Sequence, residues 1–578
     1  MKIGLLQCNL TSNDIERNVH TLYQAVCKAA EQGAELCLGS ELALCGCPAT
    51  EQLARSAFVT FCRDNLQALA TRLNEENLPP LLVGAPIANP VPQGKPLHNC
   101  AVFLRGGKVM VIARKVLLVA DGTHDDYFYF EPGVACGVLQ HNGWRFAVAI
   151  GEDVWNDRGF WHGRRQFDTD PVEEFMTGGA DALLNPSAIP FIIGGIEQHK
   201  KVLSWTAAKY RTPVVTVNQI GGMDSAIYPG GSMVFNSYGN ICHQAAKFAE
   251  DVLVVDLSRL EDPSEKDASS KEASAADNTT DNEIKAVTGG AGSAKPADYE
   301  EELWQALVLG VRDFSFKCGF SKAVLGLSGG IDSALVAAIA AEALGGQNVL
   351  GVLMPSPYSS RGSVEDSLLL AANLGIETVT IPIEPAMQAM NGMLQPAFAG
   401  LASDTTEENI QSRLRCVTVM AFSNKFGRIW LNTSNKSEAA VGYGTLYGDS
   451  GGALGVIVDL YKDQVYALSN WINKRHGRDL IPQAIIDKVP SAELRPDQKD
   501  SDSLPDYPVL DAILRAHLDE RNDLDELVKR GFDEALSKRI LSMLRRAEFK
   551  RRQLPPGLHV SRSAFGQSGR LPIATTFK

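Results

Sequence analysis

The sequence has no long uninterrupted apolar segment and none of the features of a secretion signal. No apolar run reaches the roughly 20 residues that a membrane-spanning helix needs. The first ten residues, Met1 to Leu10, have the pattern of a strand, and no small-residue cleavage site follows them. We therefore expect a cytoplasmic protein that does not interact with a membrane.

The sequence also lacks an excess of basic residues and a paired cysteine pattern. Its 55 basic and 68 acidic residues give a net charge of -13, which argues against nucleic-acid binding because phosphate backbones require a basic surface. The 11 cysteines are scattered. Cys45 and Cys47 lie close together, but no second Cys or His pair completes a zinc site. This pattern is typical of reduced, structural thiols.

One polar stretch divides a chain that is too long for a single hydrophobic core. Residues 258–298 consist mainly of small, polar and charged residues. Such a segment cannot bury enough apolar surface to offset the entropy lost on ordering. We predict a disordered linker at 258–298, between a first domain at 1–257 and a second at 299–578.

On both sides of this stretch, short apolar runs alternate with segments of helical period. In the first part, strands are predicted at 81–83, 146–150, 182–184 and 214–217, and helices at 19–31 and 58–73. In the second part, strands are predicted at 323–327, 349–353, 377–381 and 428–432, and helices at 299–317, 333–343 and 409–426. The alternation indicates an α/β fold in both parts, with an open parallel sheet in the second.

A loop between an apolar strand and an Ala-rich helix carries the strongest functional signal. It consists of Ser328, Gly329, Gly330, Ile331, Asp332 and Ser333. Glycines let the backbone approach a ligand closely, and the N–H groups at a helix N-terminus attract anions. The loop is not a Walker A motif, because no Gly-Lys-Ser/Thr follows the glycines. We expect it to hold the phosphates of a nucleotide.

This loop resembles the pyrophosphate loop of the N-type ATP pyrophosphatases. The resemblance implies that ATP is cleaved between its α and β phosphates and that AMP is transferred to a carboxylate. Such activation is needed because a carboxylate is too poor an electrophile to condense with ammonia. Positive charge must then stabilise the phosphates, usually as Mg²⁺ held by one or two carboxylates. Asp332 is a candidate ligand.

Further segments resemble the NAD synthetases within that group, and together they cover nearly all of 299–578. The matching segments are 354–360 with Asp366, 406–413, 432–438, 441–443, 447–449, 490–498 and 550–553. This resemblance implies a carbon–nitrogen ligase that uses ATP and Mg²⁺ to convert deamido-NAD and ammonia into NAD. It also implies a parallel sheet of the adenine-nucleotide α-hydrolase type.

The resemblance assigns roles to individual residues. Asp332 and Glu438 are the implied Mg²⁺ ligands, Lys462 is a phosphate-binding lysine, and Asn435 and Asp449 lie near the deamido-NAD site. Glu438 and Lys462 also have ordinary interpretations, a solvated helix charge and a packed aliphatic stem. Residues 459–461 differ from the residue types that the family usually has before this lysine. The basic residues of 545–552 either meet phosphates or form a solvated helix face.

The first part resembles the nitrilase-type glutaminase domain of two-domain NAD synthetases, which implies an αββα sandwich. Residues 40–44 match the segment that carries the general base, Glu41, and residues 114–133 match the segment that carries Lys115. Residues 149–155 match the segment in which the family places a cysteine before Glu-Asp. In this sequence that position is Gly151.

Gly151 removes the nucleophile that this chemistry requires, because glycine has no side chain with which to form an acyl-enzyme. The resemblance also places a serine and a basic residue for glutamine at Ile189 and Gly195. We therefore predict that Glu41 and Lys115 are vestigial and that the enzyme uses free ammonia. Rescue by another thiol, such as Cys45 or Cys47, remains an alternative.

The sequence leaves two other hypotheses open. A partner glutaminase would deliver ammonia to the same ligase, with the first domain serving for docking. Alternatively, the chain would be a non-catalytic scaffold, against which the intact phosphate loop argues. We also expect a homo-oligomer, which the first domain would help to stabilise.

Overall fold

The computed structural model describes residues 1–48, 51–119, 125–162, 165, 167–260, 299–566 and 571–574. Its contacts divide the chain into two units, Met1–Ile284 and Lys285–Lys578. Most of the predicted linker lies outside the described residues. Its first residues differ from the prediction, because Ser258 belongs to the 3-10 helix Leu257–Arg259. That turn is held by the side chain of Asp256, which accepts the Ser258 N–H at 3.1 Å.

Apolar strands of the first unit form two six-stranded sheets and one hairpin, with orders β14-β1-β2-β3-β4-β5, β13-β12-β9-β8-β7-β6 and β10-β11. The strands are β1 Lys2–Gln7, β2 Leu36–Leu38, β3 Leu81–Ala88, β4 Leu97–Arg105, β5 Lys108–Arg114, β6 Gly137–His141, β7 Trp144–Val148, β8 Ala182–Ser187, β9 Val214–Asn218, β10 Ile220–Met223, β11 Ala226–Pro229, β12 Met233–Phe235, β13 Ile241–Gln244 and β14 Asp251–Asp256. The helices are α1 Ile15–Glu31, α2 Ser56–Glu75, α3 Asp126–Tyr129, α4 Pro171–Thr177 and α5 Gly195–Tyr210.

The cores of this unit follow from strands that are apolar on both faces. Ile3 and Leu5 of β1 pack with Phe146 and Val148 of β7, which fills the space between the two sheets. A second cluster joins α1 and α2 to the outer face of the first sheet, and a third joins α4 and α5 to the outer face of the second. Burial on both faces is what such layered sheets require. The result is an αββα sandwich, as predicted.

The second unit is built on a five-stranded sheet in which every pair is parallel, with the order β17-β16-β15-β18-β19. Its strands are β15 Ala323–Gly326, β16 Val349–Leu353, β17 Glu377–Thr380, β18 Ile429–Asn432 and β19 Leu454–Gly455. Its helices are α6 Tyr299–Lys317, α7 Ile331–Leu344, α8 Arg361–Leu374, α9 Glu384–Phe398, α10 Thr405–Phe426, α11 Lys436–Val441, α12 Lys462–His476, α13 Gln483–Asp487, α14 Tyr507–Leu518, α15 Leu524–Lys529, α16 Glu534–Arg546 and α17 Glu548–Arg551.

The strand order places a crevice beside β15. The chain runs outward in one direction through β16 and β17 and then returns to the other side of β15 with β18. In open parallel sheets, ligands bind outside the carboxyl ends of strands at such a reversal. The loops that follow β15 and β18 therefore lie at the position where a ligand is expected. Among the described helices, none is long and apolar enough to span a membrane.

Candidate active site

A cavity of about 740 Å³ lies at the carboxyl ends of β15 and β18. Ser328, Gly330, Ile331, Asp332 and Ser333 of the predicted phosphate loop line it. Gly329 does not line it and faces α8 instead. Its φ of +75° suits glycine, and a Cβ there would overlap the backbone of Ser363. The loop is thus held against α8 while its polar groups face the cavity.

Hydroxyl groups fix the shape of the loop. The Ser333 hydroxyl donates to the Gly330 carbonyl at 3.0 Å, and the Gly330 N–H donates to the Ser328 oxygen at 3.2 Å. The two serine oxygens lie 3.1 Å apart. Because α7 begins at Ile331, its N-terminus points into the same cavity. The arrangement can bind an anion through N–H groups and the helix dipole.

Asp332, Glu438 and Lys462 meet in this cavity, although they are far apart in sequence. Lys462 Nζ lies 2.5 Å from Asp332 Oδ2 and 3.2 Å from Glu438 Oε1. Burial lowers the pKa of Lys462, but the two carboxylates outweigh this effect and raise it above its ordinary value. Burial, opposed by Lys462 and reinforced by Asp332, raises the pKa of Glu438 to about 7. Neither Glu438 nor Lys462 is a solvated surface charge.

A third carboxylate, Asp500, joins this group through two tyrosines. The Tyr507 hydroxyl lies 2.9 Å from Asp500 Oδ2 and 3.2 Å from Glu438 Oε1. Tyr443 donates to Asp500 Oδ1 at 3.1 Å. No local pattern marks Tyr507, at the start of α14, or Asp500, in the 3-10 helix Asp500–Asp502, because tertiary packing brings them to Glu438.

The donor set around Lys462 suits Mg²⁺. Asp332 and Glu438 both direct a carboxylate oxygen at one cationic atom, Lys462 Nζ. Mg²⁺ prefers oxygen ligands and is usually bound by one or two carboxylates together with phosphates and water. Among the described residues, no three His, Cys, Asp or Glu side chains gather as a metal site of protein ligands alone. The residues present therefore fit a Mg²⁺ ion that is held by these two carboxylates and takes its remaining ligands from a nucleotide and water.

Asp449 and Asn435 have different positions relative to the cavity. Asp449 lines it, and its Oδ1 accepts the Ser412 hydroxyl at 2.8 Å and the Thr445 N–H at 2.7 Å. Asn435 is completely buried and is not among the cavity-lining residues. Its Nδ2 donates to Asp332 Oδ1 at 2.9 Å. Asn435 therefore lies behind Asp332, while Asp449 faces the cavity.

The basic residues of 545–552 differ in their surroundings. Lys550 lines the cavity and donates to the carbonyls of Gly442 and Gly444, each at 2.8 Å. Arg551 is buried and pairs with Glu548 at 2.8 Å. These residues therefore connect α17 to the loop after α11, so that only part of the run is a solvated face.

Other polar residues of the cavity were not assigned a role from sequence. Arg415 on α10 lines it and donates to the Met354 carbonyl at 3.1 Å. Burial lowers the pKa of Arg415 to about 10. Glu493 Oε1 lies 2.7 Å from Ser363 Oγ and 3.0 Å from Lys488 Nζ. Glu493 belongs to the segment 490–498 that resembles the family, whereas a single arginine on a helix gives no signal by itself. Only the fold therefore reveals that Arg415 lines the cavity.

The first unit contains a second cluster, composed of buried charges. Lys115 Nζ lies 2.7 Å from Glu41 Oε1 and 2.6 Å from both Asp126 Oδ2 and Glu152 Oε2. Burial raises the pKa of Glu41 to about 6, although Lys115 opposes the shift. Burial lowers the pKa of Lys115, but the three carboxylates raise it well above its ordinary value. These residues follow β2, β5 and β7, whose ends bring them together.

Gly151 lies at the centre of this cluster. It begins the 3-10 helix Gly151–Val154 after β7 and has a φ of +51°. A Cβ at this position would overlap Glu41 Oε2 and would lie 3.3 Å from Lys115 Nζ. The Glu41 carboxylate therefore occupies space that any side chain at position 151 would need.

The structure also describes Ile189 and Gly195, the two positions at which the residues that would bind glutamine were predicted to be missing. Ile189 exchanges hydrogen bonds with Asn218, whose Oδ1 accepts the Ile189 N–H at 2.8 Å. Gly195 begins α5. Cys45 is buried, and burial raises the pKa of its thiol well above the ordinary value. A buried thiol of this kind is a poor source of thiolate.

The glycine-rich loop, the two carboxylates and the lysine lie at the reversal of a parallel sheet, where open sheets of this kind bind nucleotides. Residues 303–555 match the family described as NAD synthase, and residues 2–261 match the family described as carbon-nitrogen hydrolase. The family match places this site in a carbon–nitrogen ligase. The chain belongs to the two-domain NAD synthetase family.

Relatives that match the whole chain support this assignment. The glutamine-dependent NAD(+) synthetase of Synechocystis sp. is 42% identical over 100% of this chain and 99% of its own length. That of Thermotoga maritima is 37% identical over the same shares. The structure of the glutamine-dependent NAD+ synthetase from Acinetobacter baumannii in complex with ADP is 31% identical, with a TM-score of 0.73, and covers 99% of this chain and 98% of that chain.

Proposed function

We propose that this NAD synthetase adenylates the nicotinate carboxylate of deamido-NAD and forms the amide from free ammonia. AMP and pyrophosphate would be the other products. The observation that carries the choice of ammonia is the glycine at position 151, with the Glu41 carboxylate in the space of the missing side chain.

The cavity of the second unit supports the adenylation step. The loop from Ser328 to Ser333 and the N-terminus of α7 would hold the phosphates of ATP. Asp332 and Glu438 would hold Mg²⁺, which supplies positive charge to the phosphates when bound. Lys462 adds a fixed positive charge beside the same loop. The solved relative from Acinetobacter baumannii is in complex with ADP, which agrees with the use of an adenine nucleotide.

The acceptor side of the cavity supports deamido-NAD as the substrate. Asp449 and Arg415 both line the cavity, so that opposite charges are available to orient a polar dinucleotide. Attack of ammonia on the acyl-adenylate forms the C–N bond, breaks the C–O bond to AMP and releases one proton. None of these steps needs the charge cluster of the first unit.

The first unit lacks what glutamine hydrolysis requires. Amide hydrolysis by this fold needs a nucleophile that forms an acyl-enzyme with the substrate. Position 151 has no side chain to attack with, and Glu41 is held by Lys115 and Asn99, both at 2.7 Å. In a hydrolase triad, loss of the nucleophile costs on the order of a millionfold in rate.

The names of the relatives favour a second candidate, in which glutamine is still the source of nitrogen. The relatives that match this chain from end to end are called glutamine-dependent. For this chain to share that activity, another thiol or a partner glutaminase must replace the missing nucleophile. The buried Cys45 is poorly suited to the task, because its thiol pKa is raised well above the ordinary value.

Two assays test the proposal. Exchange of labelled pyrophosphate into ATP should require deamido-NAD and Mg²⁺ and should be lost in Asp332→Asn, which would show acyl-adenylate formation. Glutamate release from glutamine should stay at the level of a no-enzyme control, with deamido-NAD and ATP present. Absence of exchange would reject the adenylation step, and enzyme-dependent glutamate release would reject the choice of ammonia.

A further inference from the structure

Asn435 uses both ends of its side-chain amide to connect two elements of the cavity. Its Nδ2 donates to Asp332 Oδ1 at 2.9 Å, and its Oδ1 accepts the backbone N–H of Glu438 at 3.0 Å. The two bonds require opposite ends of the amide, a donor and an acceptor, so that they define its orientation. Asn435 is completely buried, and a buried amide with both ends satisfied is rigid.

The residues that Asn435 joins come from different parts of the sheet. Asp332 lies in the first turn of α7, after β15, and Glu438 lies in α11, after β18. Lys462 also contacts both carboxylates, but it lines the cavity. Asn435 contacts Asp332 from the buried side. It therefore sets the orientation of the Asp332 carboxylate without occupying the space of a ligand.

We propose that Asn435 is a positioning residue for the divalent cation, which fixes Asp332 relative to Glu438. This inference rests on the proposed function of these two carboxylates as Mg²⁺ ligands. The bond to Asp332 Oδ1 keeps Oδ2 directed at the cavity side, where it faces Lys462 Nζ. Hydrogen-bond partners of metal ligands orient those ligands, and their loss costs about 10- to 100-fold in metal affinity.

A role limited to capping the helix is the competing explanation. Asn435 is the N-cap of α11, and asparagine and serine are about equally good N-caps. Asn435→Ser keeps a capping oxygen and adds no charge, but its hydroxyl is too short to reach Asp332. The substitution therefore separates the two roles. Asp533→Ala is a matched control, because Asp533 caps α16 by accepting the Leu536 N–H at 2.7 Å.

The experiment measures binding of Mn²⁺ with ATP to the full chain, by the loss of free Mn²⁺ signal in electron paramagnetic resonance, together with the melting temperature. We expect Asn435→Ser to weaken Mn²⁺ binding about 10- to 100-fold with little change in melting temperature. Asp533→Ala should lower the melting temperature and leave Mn²⁺ binding unchanged.

The outcomes separate this inference from the proposed function. If Asn435→Ser binds Mn²⁺ as the wild type does, the positioning role is refuted, while a wild type that binds Mn²⁺ and loses it in Asp332→Asn keeps the proposed metal site. If the wild type itself binds no Mn²⁺ with ATP, both proposals fail. Should Asn435→Ser unfold, Asn435→Asp, which retains a strong N-cap, takes its place. In that variant the added charge disturbs Asp332, and an unchanged Mn²⁺ affinity would again refute the role.

Discussion

Replacing Gly151 by cysteine tests whether the first unit has lost only its nucleophile or also the surroundings that the nucleophile needs. The structure predicts that the surroundings have been lost together with the nucleophile. A Cβ at position 151 would overlap the Glu41 carboxylate, so that Gly151→Cys must displace a buried group held by Lys115 and Asn99. We expect Gly151→Cys to release no glutamate from glutamine above the wild-type level.

The cost of the substitution can be worked out from two contributions. The φ of +51° at Gly151 is a left-handed conformation, which costs a residue with a Cβ roughly 1–2 kcal/mol. Crowding of Glu41 adds about 1–3 kcal/mol, as in other overpacked cores. Gly143 is a control position that separates the cost of the left-handed conformation from the cost of crowding. Its φ is +82°, and a Cβ there would meet nothing within 4 Å. Gly143→Ala should show only the first cost.

The assays are glutamate release and chemical denaturation of the full chain. Gly151→Ala should be less stable than Gly143→Ala by the crowding cost, and Gly151→Cys should remain without glutaminase activity. Recovery of glutamine hydrolysis by Gly151→Cys alone would refute the argument that Glu41, Ile189 and Gly195 have ceased to form a glutamine site. Equal stability of the two alanine variants would refute the crowding argument.

Three further predictions concern single residues. Lys462→Met should lower AMP formation by about 10²- to 10³-fold, as loss of one charge-stabilising group does elsewhere, and a variant that retains half the wild-type rate would contradict the role. Gly329→Ala should weaken ATP binding, because its Cβ would overlap the backbone of Ser363, whereas Gly319→Ala, with a φ of +82° and no neighbour within 4 Å, should bind ATP normally in calorimetry. Because burial raises the pKa of Glu41 from 4.5 to about 6, the folded chain retains a proton that the unfolded chain loses in this window. The wild type should therefore lose about 2 kcal/mol of stability relative to Glu41→Gln as pH rises from about 4 to about 7, and a pH-independent difference in urea denaturation would contradict the buried position.

Local apolar patterns predicted much of the fold. The helix Tyr299–Lys317 has the predicted bounds, and β15 to β18 begin and end within about one residue of the predicted strands. The two-residue strand β19, Leu454–Gly455, was not predicted. The helix Glu384–Phe398 was not predicted. None of its residues is buried, and it contains Gly392 and Pro396, which both disfavour a helix interior. The antiparallel pair β4 and β5 was also missed, although Gly106-Gly107 between two apolar runs is a hairpin signal.

The candidate site was predictable to the extent that its residues are contiguous. The loop from Ser328 to Ser333 is one segment between a strand and a helix, so that its local sequence is enough to predict a strand–loop–helix turn. Asp500 lines the cavity, and Tyr507 contacts Asp500 and Glu438. Both positions depend on tertiary packing, and no local pattern marks either residue. The position of Asn435 behind Asp332 depends on the register between β15 and β18, which the sequence alone does not specify.

The origin of the amide nitrogen is the most direct test of the account. The enzyme would be given ATP, Mg²⁺ and deamido-NAD with equal concentrations of unlabelled ammonium and glutamine labelled with ¹⁵N in its amide, and the nicotinamide of the product NAD would be analysed by mass spectrometry. We predict NAD that carries no ¹⁵N above natural abundance. NAD enriched in ¹⁵N, in an amount proportional to enzyme and absent without it, would contradict the claim that this chain takes its nitrogen from free ammonia.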